Sequence, residues 1–138
     1  LNAAKDSITL RFDREFPQHL PYPCDKDKMR RIFSNVISNA LKYSNPKSEV
    51  LISYGRDKEG YVFLVTDHGI GIPEAEQKKI FSTYYRATNA ERHVAQGTGM
   101  GLYFTKQLVE LHGGRMWFES KENEGTTMHV FLPDMKQA

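Results

Sequence analysis

The sequence predicts a two-layer α+β sandwich, a mixed and mostly antiparallel sheet packed on about three helices. Three observations lead there. Five short runs carry strand character, and four of them pair off across hairpin-length turns. Two longer runs place apolar residues at steps of three and four, the period of a helix. The order is strand, helix, two strands, two helices, two strands, which groups the helices and links most strands by hairpins. The 138 residues suit one domain, 1–138, with a core of its own.

The first run, residues 7–12, alternates, with Ile8, Leu10 and Phe12 expected inward and Thr9 and Arg11 outward. Pro17, Pro21 and Pro23 keep the next stretch extended. Met29, Ile32, Phe33, Val36, Ile37, Ala40 and Leu41 then form the strongest helical stripe, with Asp25 or Asp27 as the expected N-cap and Asn45-Pro46 as the stop. Residues 49–55 and 61–67 read as strands joined by Asp57-Lys58-Glu59-Gly60. Residues 73–81 read as a short helix, opened by Pro73, with Glu74 and Glu76 at its positive end. Residues 88–97 are polar and aperiodic, as in a mobile loop. A further helix is expected from about 101 to 112, with Leu102, Thr105, Leu108, Val109 and His112 on one face and Gly113-Gly114 ending it. Residues 116–120 and 126–132 form the last hairpin, around Asn123-Glu124-Gly125.

Composition excludes several classes. Hydrophobic residues at 39% and aromatics at 12% are core-building levels, against a disordered chain. No apolar run approaches the ~20 residues of a membrane span. The start, Leu1-Asn2-Ala3-Ala4-Lys5-Asp6, lacks the apolar stretch of a signal peptide. Nineteen Lys and Arg against seventeen Asp and Glu give +2, too balanced for a nucleic-acid or membrane-surface binder. Cys24, the single cysteine, excludes an intrachain disulfide and fits a reducing, cytoplasmic compartment. The absence of an initial Met is what a piece of a longer protein would show.

Half of the ten glycines fall in two clusters, Asp67-His68-Gly69-Ile70-Gly71 and Gly97-Thr98-Gly99-Met100-Gly101. Each alone reads as a pair of tight turns. Together, with the second running into a helix N-terminus, they suit backbone amides gathered around a phosphate. Familiar phosphate motifs fail. No Gly-Lys pair exists for a Walker loop, and neither Gly-x-Gly is completed by a third glycine three residues on. Asp67-His68-Gly69 has no protein-kinase partners around it.

Asn35, Asn39, Lys42 and Tyr43 form a second stripe beside the apolar one on the long helix. Asparagine is a mediocre helix former, so the stripe is either a solvated face or a ligand face. As a ligand face, an amide oxygen suits Mg²⁺, a lysine meets phosphate as a point charge, and a tyrosine can stack on a base.

These residues resemble a known set. Residues 35–44, Asn-Val-Ile-Ser-Asn-Ala-Leu-Lys-Tyr-Ser, resemble the N box of bacterial sensor histidine kinases. Residues 67–73 resemble their first glycine box, 81–86 the F box, and 97–102 the second glycine box. The order and approximate spacing hold over nearly the whole chain. The resemblance implies the catalytic, ATP-binding domain shared with gyrase, Hsp90 and MutL ATPases, an α/β sandwich called the Bergerat fold.

By that resemblance Asn39 is the Mg²⁺ ligand, Asn35 the polar residue one turn earlier, Lys42 a phosphate contact and Tyr43 an aromatic near adenine, either stacked on it or packed at the rim. Asp67 accepts the adenine amino group, a role suited to a carboxylate because guanine presents a carbonyl there. Gly69 and Gly71 let the chain pass close to the base, and Ile72 lines the pocket. Tyr85 and Arg86 belong to the F box, with Arg86 able to approach the γ-phosphate. Phe81, Tyr84 and Tyr85 are lid anchors, core or contacts, and Thr83 departs from the residues common in that box. Residues 86–97 match the lid. Gly97, Thr98, Gly99, Met100, Gly101 and Leu102 match the phosphate cradle, and Gly125-Thr126 a late pair near the nucleotide. His68 and His112 carry no chemistry.

Gyrase-type relatives place a water-activating glutamate where this chain has Asn35. An amide lacks that basicity, so the pattern favours phosphoryl transfer. Asn35, Asn39, Lys42 and Arg86 are the residues implied to carry it. The acceptor would be a histidine on a separate dimerisation domain, since none of His19, His68, His93, His112 and His129 has the family's phosphoacceptor context. A response regulator would lie downstream, the fragment would be monomeric, and the full protein would be membrane-anchored. Two alternatives stay open: a non-catalytic ATP/ADP-sensing module, and a serine-directed kinase of the anti-sigma type.

Overall fold

A computed structural model describes residues 8–12, 26–56, 58–82 and 101–134. Its elements in order are β1 (Thr9–Phe12), α1 (Lys26–Tyr43), β2 (Glu49–Arg56), β3 (Gly60–Asp67), a 3-10 helix (Glu74–Lys79), α2 (Gly101–Leu111), β4 (Arg115–Lys121) and β5 (Gly125–Pro133). The five strands form one sheet in the order β1-β2-β3-β5-β4. Only β1 and β2 run parallel, with Leu10 opposite Val50. That pairing needs a crossover, and α1 lies within it. The remaining pairs are antiparallel, with Phe63 opposite Val130 and Val130 opposite Met116. Both α-helices pack on one face of this sheet, so the mixed, mostly antiparallel sandwich follows the expectation.

The core forms where the two periodicities meet. From α1 come Met29, Ile32, Val36, Ala40 and Leu41, one continuous stripe. Val50, Ile52, Phe63, Val65, Met116, Met128, Val130 and Leu132 answer from the inward positions of the sheet, and Val109 from α2. Ile32 is 0% exposed. Ile32→Ala should therefore cost about 2–5 kcal/mol of stability by lost burial and a residual cavity. Urea denaturation measures this as a lowered midpoint at unchanged slope.

Two local expectations are corrected. Leu10 and Phe12 point to the helix side, opposite Val50 and Ile52, but remain 42% and 51% exposed, and only Ile8 is buried. Among the described residues β1 is a four-residue edge strand with a single neighbour, which fixes its direction. The short helix expected over 73–81 is present as a 3-10 helix, Glu74–Lys79, with Pro73 at its N-cap and the bonds Glu76 N to Pro73 O and Ser82 N to Lys79 O. Six residues with none buried cannot meet the cost of an α-helical nucleus. Asp27 sits inside the first turn of α1 and is not its cap; Asp25 lies outside the described residues.

Candidate functional site

The long helix α1 borders two other elements along one side. At Asn35 it meets α2: the Asn35 side-chain Nδ2 donates to Thr105 Oγ1 at 3.0 Å, and that hydroxyl donates to Gly101 O at 2.7 Å. Thr105 is fully buried, and Gly101 is the first residue of α2. At Tyr43 the helix meets the first glycine cluster: Ile70 N donates to Tyr43 O, Asn45 N donates to His68 O, and Ser44 bridges Gly69. Asn39 lies one turn from Asn35 and one from Tyr43, within a span of about 12 Å along the helix. It is half-buried, and its side-chain amide has no hydrogen-bond partner among the described residues. Lys42 is exposed, its ammonium 5.6 Å from the Tyr43 ring centre. Tyr43 itself is half-buried.

Asp67 ends β3 and is 9% exposed. Its Oδ1 accepts from Gly69 N at 3.0 Å and from Thr126 N at 3.3 Å. Burial pushes its carboxyl up from 3.8 to about 6, against the lowering effects of those two N–H groups and of His68. One oxygen is thus held by the backbone. The other carries no bond from the described residues. A buried acceptor in that condition favours a ligand that brings an N–H donor.

The first glycines bring backbone close to backbone. A Cβ at Gly69 would lie 2.0 Å from Tyr43 O, and one at Gly71, where φ is +66°, 2.1 Å from Lys121 O. Their missing side chains let the loop press on the end of α1 and on the last hairpin. These approaches to Tyr43 O and Lys121 O fix the loop that follows Asp67.

Ile72 is half-buried, and its N–H donates to Ser120 Oγ at 2.9 Å. Gln77 Nε2 donates both to Ile72 O and to Ser120 O. Ser120 Oγ also lies 3.0 Å from Gly125 O and 2.7 Å from Thr126 Oγ1. Sequence reasoning missed Ser120, Gln77 and the polar role of Thr105. The signals for two of them were present. Alternation from Met116 and Phe118 puts Ser120 on the inward face, and Thr105 is the polar residue on an apolar helix face. Gln77 carried no such signal.

Leu102 packs against the core beside Gly101. Tyr85, Arg86, Gly97, Thr98, Gly99 and Met100 lie outside the described residues, as do Tyr84 and the segment 88–97. The structure therefore brings Tyr43, Asp67, Gly69, Gly71, Ile72 and Thr126 to one junction of the α1 end, the β3 end and the last hairpin, with Asn35 tied to Thr105 on the α2 side beside Gly101 and Leu102; Asn39 and Lys42 lie on the stretch of α1 between.

No group of three or more His, Cys, Asp or Glu side chains gathers among the described residues to hold a metal ion alone. A single amide oxygen at Asn39 suits magnesium only if phosphate oxygens and waters complete its shell. Among the described residues no helix is long and apolar enough to cross a membrane.

A family model described as histidine kinase-, DNA gyrase B- and HSP90-like ATPase matches residues 24–136. The chain is 40% identical over 113 residues to the circadian input-output histidine kinase CikA of Synechococcus elongatus, covering 82% of this chain and 15% of that protein. It is 40% identical over 134 residues to the sensor protein kinase WalK of Staphylococcus epidermidis, covering 95% of this chain and 22% of the relative. This chain thus spans about a fifth or less of those relatives. Among solved structures, a mycobacterial sensor histidine kinase, MprB, superposes with TM-score 0.76 at 26% identity, over 98% of this chain and 88% of that one. The catalytic domain of the histidine kinase ThkA superposes with TM-score 0.78 at 25% identity, over 97% and 85%.

Proposed function

Since the chain belongs to the histidine kinase-, DNA gyrase B- and HSP90-like ATPase family, we propose that it binds Mg-ATP and transfers the γ-phosphoryl group to a histidine of a separate phosphoacceptor domain. The observation that carries the ATP reading is Asp67, a buried carboxylate with one oxygen held by Gly69 and Thr126 and the other left for an N–H donor. The adenine amino group is such a donor. Gly69, Gly71 and Ile72 hold the loop around that contact, and Tyr43 flanks it. Asn39 would hold magnesium together with phosphate oxygens, and the ion would supply charge neutralisation there. Lys42 and Arg86 would meet the phosphates, with Gly97, Thr98, Gly99, Met100, Gly101 and Leu102 forming the cradle at the α2 N-terminus.

Transfer is favoured over hydrolysis because Asn35 cannot act as a base and its amide is spent on Thr105. In the transfer, the bond from γ-phosphorus to the bridging oxygen breaks and a phosphorus–nitrogen bond forms. ADP leaves, and the histidine gives up its proton. The chain, 1–138, would act as one monomeric catalytic domain of a longer, membrane-anchored sensor kinase. It would work in the cytoplasm, where ATP is available, and feed a response regulator.

The test mixes this chain, Mg-ATP labelled at the γ-position and a separately produced histidine-bearing helical domain. Acid-labile, alkali-stable label on the added domain is expected. Acid-stable label would instead mark a serine-directed kinase. Nucleotide binding without any transfer would mark a sensing module.

A further inference from the structure

Ser120 makes more hydrogen bonds at this site than its small side chain would suggest, and the count fixes their direction. A hydroxyl has one hydrogen to give and two lone pairs to accept with. Its Oγ accepts from Ile72 N and lies within bonding distance of Gly125 O and Thr126 Oγ1. The Gly125 carbonyl can only accept, so a bond to it uses the single Ser120 hydrogen. The third bond then forms only if Thr126 donates its own hydrogen to Ser120. With that hydrogen committed, the Thr126 hydroxyl has only lone pairs left for a ligand. Beside it, Thr126 N holds Asp67 Oδ1, so Asp67 is also left with an acceptor.

We propose that Ser120 is a positioning residue that selects the purine base. By binding Ile72 N and taking the Thr126 hydrogen, it leaves that hydroxyl, on the residue whose N–H holds Asp67, with only lone pairs to offer a ligand. Such a site takes a purine with an amino group at C6 and rejects one with a carbonyl there. Gln77, bonded to the Ile72 and Ser120 carbonyls, holds the two segments together while this is done. The inference rests on the adenine-nucleotide reading above.

The experiment compares ATP with inosine triphosphate, which differs in carrying a carbonyl at C6, by calorimetric titration in excess magnesium. The wild-type chain should prefer ATP. Ser120→Ala should lower that preference about tenfold, mainly by admitting inosine triphosphate, because the freed Thr126 hydroxyl can now donate to a carbonyl. Ser120→Thr keeps the hydroxyl and should restore the preference. Thr126→Val removes the hydroxyl that would donate, so it should keep the wild-type preference, and adding it to Ser120→Ala should bring the preference back. Wild-type preference in folded Ser120→Ala would overturn the proposal. Should that variant not fold, a lost preference in Thr126→Val, where no hydroxyl is left to donate, would overturn it equally. A wild-type chain that binds neither nucleotide would overturn the ATP reading itself, and this inference with it.

Discussion

Asp67→Asn is expected to reverse the base preference of this chain, not merely to weaken binding. The Oδ1 position faces two backbone donors, Gly69 N and Thr126 N. An asparagine there must aim its oxygen at them, which turns its Nδ2 toward the ligand. A donor then meets the adenine amino group, also a donor, and ATP affinity should fall about 100-fold or more. The same Nδ2 would pair with the carbonyl of inosine triphosphate, which should bind the variant better than ATP does. Titration of both nucleotides into both proteins measures it. An unchanged order of preference in the variant would remove Asp67 from base recognition.

The same substitution separates binding from stability. Burial raises the Asp67 carboxyl from 3.8 to about 6. Between those values the folded chain holds the proton more tightly than the unfolded chain does. The stability supplied by the neutral form is therefore complete below about pH 4 and is lost as pH rises through about 6. The gap corresponds to about 3 kcal/mol. Asp67→Asn cannot ionise, so its stability relative to wild type should grow by up to about 3 kcal/mol from pH 4 to pH 7. In the wild type, the proton taken up near pH 6 falls on the oxygen the backbone leaves free and makes it a donor. The ratio of ATP to inosine triphosphate affinity should accordingly fall below about pH 6. Phosphate titration cancels in that ratio.

What could be read from the sequence follows from the range of each signal. The α1 stripe and the inward alternation of β2, β3 and β5 depend on local periodicity, and their residues are the buried ones. The role proposed for Asp67 could be read in the sequence because a motif carries it. The bonds around it could not, since Thr126 reaches Asp67 from 59 residues away and Ser120 reaches Ile72 from 48. Exposure of Leu10 and Phe12 depends on what lies beyond β1, which alternation does not encode. Gly69 and Gly71 also answer to backbone carbonyls from α1 and β4, a packing role that the motif does not announce. A glycine in sequence says that something comes close; only the fold says what does.

Asn39→Ala is the second large effect, and its contrast with Asn35→Ala makes it decisive. The two asparagines look equivalent in sequence, one turn apart on the same stripe. In the fold, Asn35 is bonded to the buried Thr105 hydroxyl. Removing it leaves that hydroxyl its bond to Gly101 O but no donor, at a cost of about 1 kcal/mol of stability. Asn39 is half-buried in mid-helix, where alanine is the better helix former, so Asn39→Ala should fold as well as wild type or better. Its loss should appear in nucleotide binding. Even partners one shell away from a metal are worth about 10–100-fold in affinity, and a direct ligand is worth at least that. Titration of ATP with magnesium or with a chelator should therefore show a magnesium-dependent gain in wild type and in Asn35→Ala. In Asn39→Ala that gain should vanish, while affinity in chelator stays at the wild-type value. Phosphotransfer should fall further than binding, because charge on the phosphates must be neutralised most as the phosphoryl group moves. A full magnesium gain in folded Asn39→Ala would take the metal away from α1.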